Sequence, residues 1–194
     1  MGVPRCQLFW RHEKVDGFVD ADTKKISWTR ALKADVAKNK PFSFDAAALA
    51  PALYRPFSLQ WLYYSRSFNE MVYQMPRLFP LGGDQDNLVI CTSGTGAKLS
   101  FSVILTNAIP SLHVADIGGS QCFPRYLYEI TDEPDNDAPQ GELLARQPAG
   151  QLIRRDAITD EGLKHFAAAY AGEAISKDDV FYYVYGLLHS PDYR

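Results

Sequence analysis

The chain has 194 residues, 46% of them hydrophobic, 22% charged and 13% aromatic, with a formal net charge of −3. This is the balance of a globular chain with a sizeable core, one domain or one domain with a small appendage. It excludes a membrane-spanning helix, because no apolar run approaches the ~20 residues one needs, and no basic segment leads into an apolar stretch as in a secretory leader.

In chain order, the first expected element is a strand at Gln7–Val15, closed by the turn Asp16-Gly17. Ser27 is placed to cap a helix from Trp28 to about Lys38, rich in helix formers along a basic face and ended by Pro41. Asp45–Leu49 reads as a short helix stopped by Pro51. Tyr54–Phe57 and Leu59–Tyr64 carry aromatics at the density of a buried strand. A helix is expected over Asn69–Leu78, with Pro76 near its end, and a turn at Leu81–Asp84. Asn87–Thr92 and Lys98–Leu105 read as paired strands joined through Ser93-Gly94-Thr95-Gly96. Gln121–Ile130 reads as one more strand, and residues 131–150 as an exposed acidic loop.

Two helices are expected to close the chain. Thr159 is a natural N-cap, with Asp160 and Glu161 in the first turn, and Leu163, Phe166, Ala167 and Tyr170 recur on one face. Ser176 with Asp179 has the spacing of a capping box. Val180, Phe181, Val184, Leu187 and Leu188 then make a stripe expected to face the core, and Pro191 ends the helix. The predicted fold class is α+β: a curved, mixed or antiparallel sheet with peripheral helices and a helical C-terminal part. The predicted division is a core over residues 1–150 and a helical segment over 151–194 packing on it.

Catalytic signatures are missing from the sequence. Cys6, Cys91 and Cys122 lack zinc-site spacing and read as small apolar residues, and the four histidines show no HExxH pattern. Ser93–Lys98 resembles a phosphate loop only loosely, since Leu99 stands where a Walker loop needs Ser or Thr. It reads as a hairpin loop, or as backbone amides and Lys98 meeting a DNA phosphate. Asp84 and Asp86 beside a Gly-Gly turn fit turn chemistry better than metal binding. No Asn/Asp-Pro-Pro-Tyr segment is present to hold a target adenine. No catalytic site, metal or cofactor is therefore expected in this chain.

Charge is unevenly spread. Residues 1–80 hold 12 Lys/Arg against 7 Asp/Glu, whereas residues 81–194 hold 8 against 16. The candidate DNA contacts lie around the aromatic segment: Arg55, Arg66 and Arg77, with Asn69 and Gln74 among them, and Lys98 further on. Arginine can read guanine through two hydrogen bonds, and Asn or Gln can read adenine. Each also has a structural alternative; Arg55, before Pro56, suits a pairing with a carboxylate that fixes a turn.

Several long segments carry a resemblance. Tyr54-Arg55-Pro56-Phe57, Gln60–Tyr64, Phe68–Arg77, Phe101–Thr106, Gln121–Pro124 with Tyr126 and Tyr128, and Ser176–Pro191 follow one another in order, with Ile26-Ser27-Trp28 and Lys33 upstream. Over roughly residues 24–194 the chain resembles the C-terminal target-recognition region of Type ISP restriction-modification enzymes. Those are single polypeptides joining a nuclease, a helicase-like translocase, an N6-adenine methyltransferase and a specificity domain.

The resemblance implies recognition of double-stranded DNA for methylation and cleavage by other domains, with the methyltransferase domain as partner. The odd cysteine count and the absence of a secretory leader point to a reducing cytoplasm. A structural or coupling module without base readout is the alternative. The chain stops just after Tyr185–Pro191, where family members are expected to continue. DNA is expected across the basic first half, away from the acidic residues 132–137.

Overall fold

The computed structural model describes residues 28–69, 71–80, 86–130 and 152–193. The chain divides into two compact units, one of residues 1–49 and 63–72, the other of residues 50–62 and 73–194. The strand expected at Gln7–Val15, the turn at Leu81–Asp84 and the acidic loop at 131–150 lie outside the described residues.

In the first unit, α1 (Arg30–Ala37) starts two residues later than expected, because the Thr29 hydroxyl accepts from Leu32 N at 3.1 Å and serves as the cap. Leu32 is its buried residue. The helix stops before Pro41 is reached: Asn39 turns into the left-handed region at φ 53. The Asp45 side chain caps a single 3-10 turn, Ala46–Ala48. Tyr63 organises the rest. Its hydroxyl accepts from Asp45 N at 2.9 Å, its ring stacks on Phe44 at 5.5 Å, and Phe68 meets its edge at 5.2 Å.

The second unit holds three small sheets among the described residues. β1 (Leu49–Arg55) and β2 (Ser58–Tyr63) form a hairpin across Pro56-Phe57. Pro51, expected as a helix stop, is instead a residue of β1. β2 is not buried as its aromatics suggested: Leu59 is 68% and Trp61 76% exposed. Both point to one face by strand alternation, and no element covers it among the described residues. The helix expected over Asn69–Leu78 shrinks to one turn, α2 (Met75–Leu78), because Tyr73 sits at φ 45, where a helix cannot continue.

β3 (Val89–Ser93) is the central strand of the second sheet and is buried from Val89 to Thr92. It pairs antiparallel with β4 (Val103–Thr106), the partner expected across the Ser93–Gly96 link. β5 (Ile109–Pro110) runs parallel beside β1. The strand expected over Gln121–Ile130 is two strands in different sheets. β6 (Ser120–Pro124) pairs with β3, and β7 (Tyr126–Ile130) pairs with β8 (Leu152–Asp156), which the sequence reading did not anticipate. Pro124, without an amide proton, and Arg125 mark the switch. Cys91 lies opposite Cys122 in the β3–β6 ladder, with the sulfurs 3.7 Å apart. That contact, together with burial, holds the Cys91 thiol above its ordinary pKa.

The closing helices are α3 (Asp160–Ala168) and α4 (Lys177–Leu187), with the predicted Thr159 cap and Ser176–Asp179 capping box both formed. They meet through aromatic edges: Phe166 stacks on Tyr170 at 5.2 Å and takes Tyr183 edge-on at 5.1 Å. The expected α4 stripe is only half correct. Val180 and Phe181 are buried, but Val184 and Leu187 are 40% and 43% exposed. The helix is anchored by its first turn, where Asp178 pairs with both Nε and Nη2 of Arg125 and Lys177 reaches Asp156 at 3.1 Å. Its later turns extend past that anchorage. The architecture is α+β with mixed and antiparallel sheets and a helical C-terminal part, as expected.

Candidate functional site

The six candidate residues divide between the units. In the first, the Asn69 Nδ2 donates to the carbonyls of Tyr63 at 2.8 Å and Ser65 at 2.9 Å. Both amide protons are thus engaged in closing the backbone after β2, and none remains to donate to adenine N7. In this structure Asn69 closes the loop after β2. Arg66 Nη1 donates to Asn69 O at 2.8 Å and the side chain stays on the surface.

In the second unit, Arg55 Nη1 donates to His113 O at 2.9 Å while the guanidinium lies over the Tyr54 ring at 4.9 Å. Its turn-fixing partner is a backbone carbonyl, not a carboxylate. Gln74 and Arg77 do come together, at 3.5 Å. Lys98 is exposed on the 94–102 loop.

That loop is not an open cradle for a phosphate. Asp116, 2% exposed, already accepts from Lys98 N at 3.1 Å, Leu99 N at 2.9 Å and Gly118 N at 2.6 Å. A side chain at Gly118 would put its Cβ 2.5 Å from Gly96 O, so glycine is required where the two loops cross. The Gly118 amide first, then those of Lys98 and Leu99, hold the Asp116 carboxyl below its ordinary pKa. The stability this gives is present above the unfolded-state value of ~3.9 and is lost as pH falls through the lower folded-state value. Asp116→Asn should therefore lower the melting temperature at pH 7 and flatten its decline below pH 4. Thermal melts of both proteins from pH 7 to pH 2.5 measure this, and parallel curves would refute the assignment.

A further charged group gathers around Arg77. Its Nη2 reaches Glu129 Oε1 on β7 at 3.3 Å, and Arg155 Nε on β8 forms an ion pair with Glu129 Oε2 at 3.2 Å. The placement is rigid. Asn87, 1% exposed, donates to Leu78 O at 2.8 Å and Tyr126 O at 3.0 Å, and accepts from Tyr126 N at 3.1 Å. It locks the end of α2 to the start of β7.

On the other face of the β7–β8 ribbon, Tyr126 is flanked by the guanidiniums of Arg125 at 4.8 Å and Arg154 at 4.4 Å. Arg155 also borders an open polar cleft with Arg154, Asp156, Asp160 and Lys177. Arg154-Arg155 escaped the sequence reading, although a basic doublet in an acidic half was a signal that could have found it.

The family model of the Type ISP C-terminal specificity domain matches residues 8–194. The chain belongs to this family. Three solved structures are similar to this specificity domain. One is a cryo-EM structure of a DrdV–DNA complex, at 38% identity and TM-score 0.68, covering 86% of this chain and 14% of that one. Another is the ATP-dependent Type ISP restriction-modification enzyme LlaBIII bound to DNA, at 30% identity and TM-score 0.65, covering 87% and 10%. A third is a nuclease-deletion mutant of the Type ISP enzyme LlaGI in complex with a DNA substrate mimic, at 31% identity and TM-score 0.62, covering 93% and 11%.

This specificity domain thus spans about a tenth to a seventh of those chains. No curated protein sequence matches it. Among the described residues no helix is long and apolar enough to cross a membrane, and no group of three or more His, Cys, Asp or Glu is placed to hold a metal ion.

Proposed function

We propose that this chain recognises a specific sequence in double-stranded DNA as the specificity domain of a Type ISP restriction-modification enzyme in the cytoplasm. Adenine methylation and cleavage would then be performed by other domains of the parent polypeptide. The observation that carries this reading is the family match over residues 8–194, supported by relatives of 30–38% identity in complex with DNA. The candidate contacts are Arg55, Arg66, Gln74, Arg77 and Lys98, all on the surface, and the half-buried Asn69. Phosphate contacts would set affinity and orientation, and a smaller set of side chains would read bases.

Selection from a pool of randomised duplexes by the purified chain tests the proposal. One recurring site should emerge, and single-base changes within it should weaken binding by about 1–3 kcal/mol each. The same preparation should neither transfer methyl groups nor hydrolyse ATP, since the sequence has no Walker loop and no Asn/Asp-Pro-Pro-Tyr segment. Sequence-independent binding, or none, would refute base recognition by this chain.

The alternative role, packing on the methyltransferase domain of the parent polypeptide, is favoured by one observation. The β1–β2 hairpin presents Phe57 at its tip, 95% exposed and at φ 64, with Leu59 and Trp61 beyond it. A non-glycine residue at such a φ costs of order 1–3 kcal/mol. An exposed aromatic held there suits a protein partner. Trp61→Ser should then leave duplex affinity unchanged while weakening association with that domain.

A further inference from the structure

We infer that Arg77 and Arg155 act on DNA as a pair, with Glu129 as the residue that positions them. The inference rests on the proposed DNA recognition and names a site within it. Arg77 comes from α2 and Arg155 from β8, and Glu129 on β7 gives one carboxylate oxygen to each, at 3.3 and 3.2 Å.

Donor accounting supports a binding role. A guanidinium carries five N–H groups. Arg155 meets Glu129 through Nε, and Arg77 uses Nη2 on Glu129 and a long 3.5 Å contact on Gln74. The two side chains are 64% and 48% exposed, so their other donors face solvent. Two positive charges against one negative leave the cluster net positive, although Glu129 and Arg155 come from the acidic half of the chain.

The cluster contributes little to the fold, because exposed ion pairs are screened and must immobilise long side chains. It matters more for binding. A carboxylate that already orders two arginines reduces the freedom they lose when they meet a ligand. The scaffold beneath is stiff: Leu78 and Phe79, next to Arg77, are 4% and 0% exposed, and Asn87 ties Leu78 to Tyr126 on the strand that carries Glu129.

Paired acceptors on DNA that would fit such donors are the O6 and N7 atoms of guanine and the oxygens of a backbone phosphate. Glu129 is a positioning residue on this account. Its carboxylate faces DNA only after being neutralised by its two arginines.

The test uses the full chain, the duplex selected above, its single-base variants and two salt concentrations. Arg77→Ala and Arg155→Ala should each weaken binding about 5- to 150-fold if guanine is read, with relaxed preference at one base pair. If a phosphate is held instead, all duplexes should weaken alike and the salt slope should fall by about one unit. Either pattern supports the pair.

Glu129→Gln should weaken binding less, without lowering the melting temperature, and its effect should vanish in the Arg77→Ala/Arg155→Ala background. A merely structural glutamate would lower the melting temperature and keep its effect there. Unaltered affinity, specificity and salt slope in both arginine variants would overturn the inference while leaving DNA recognition intact. Failure of the unmodified chain to bind any duplex would overturn both.

Discussion

Asn87→Ala should destabilise the chain by about 3–5 kcal/mol, since two carbonyls and one amide lose their partner, at about 1–3 kcal/mol for each group left buried and unsatisfied. Asn87 is 1% exposed and spends Nδ2 on Leu78 O and Tyr126 O and its Oδ1 on Tyr126 N. At 2–4 °C per kcal/mol for a chain of this length, the melting temperature should fall by roughly 10 °C.

Asn87→Asp is the sharper companion. It keeps an acceptor for Tyr126 N but turns a carboxylate toward two carbonyl oxygens, so it should be destabilising at pH 7. It should recover part of the loss as the pH falls, because the protonated carboxyl can donate once. Circular-dichroism melts at pH 7 and pH 4.5 would show this, and a melting temperature within 2–3 °C of the parent for both variants would refute the role, that range corresponding to about 1 kcal/mol. The effect reaches the candidate site, since Asn87 sets where Arg77 stands relative to Glu129. At temperatures where the Asn87→Ala chain is still folded, its DNA affinity should already be reduced.

Phe181→Ala and Val184→Ala should part company, although both positions belong to one predicted stripe. Phe181 is 4% exposed in the anchored first half of α4, and its truncation should cost ~3–5 kcal/mol through lost burial and the cavity left behind. Val184, one turn further on, is 40% exposed, and its truncation should stay within about 0.5 kcal/mol, as at other surface positions. Urea unfolding of the two variants measures the contrast. Equal losses would mean that α4 is covered along its whole length, and no loss at Phe181 would mean that its first turn is not part of the core.

How far the sequence could be read follows from the range of the interactions involved. The Ser176–Asp179 capping box and the Thr159 cap were legible because each is closed within three residues, by a side chain that can reach only its own helix. The β3–β4 pairing was legible from two strand-like runs either side of a Gly-containing loop. Continuous segments such as Tyr54–Tyr64 and Ser176–Pro191 placed the chain in its family, because such runs keep their order whatever the fold does around them.

Tertiary structure decided the rest. Leu59 and Trp61 have the composition of a core strand, but only the sheet's neighbours determine that their face stays open. Asn69 and Arg77 looked alike as candidates. The fold engages both amide protons of Asn69 on nearby carbonyls and carries Arg77 to Glu129, 52 residues away. Burial and long-range charge pairing depend on which strands lie side by side, and that is fixed by backbone hydrogen bonding and packing across the whole unit rather than by any local run of residues.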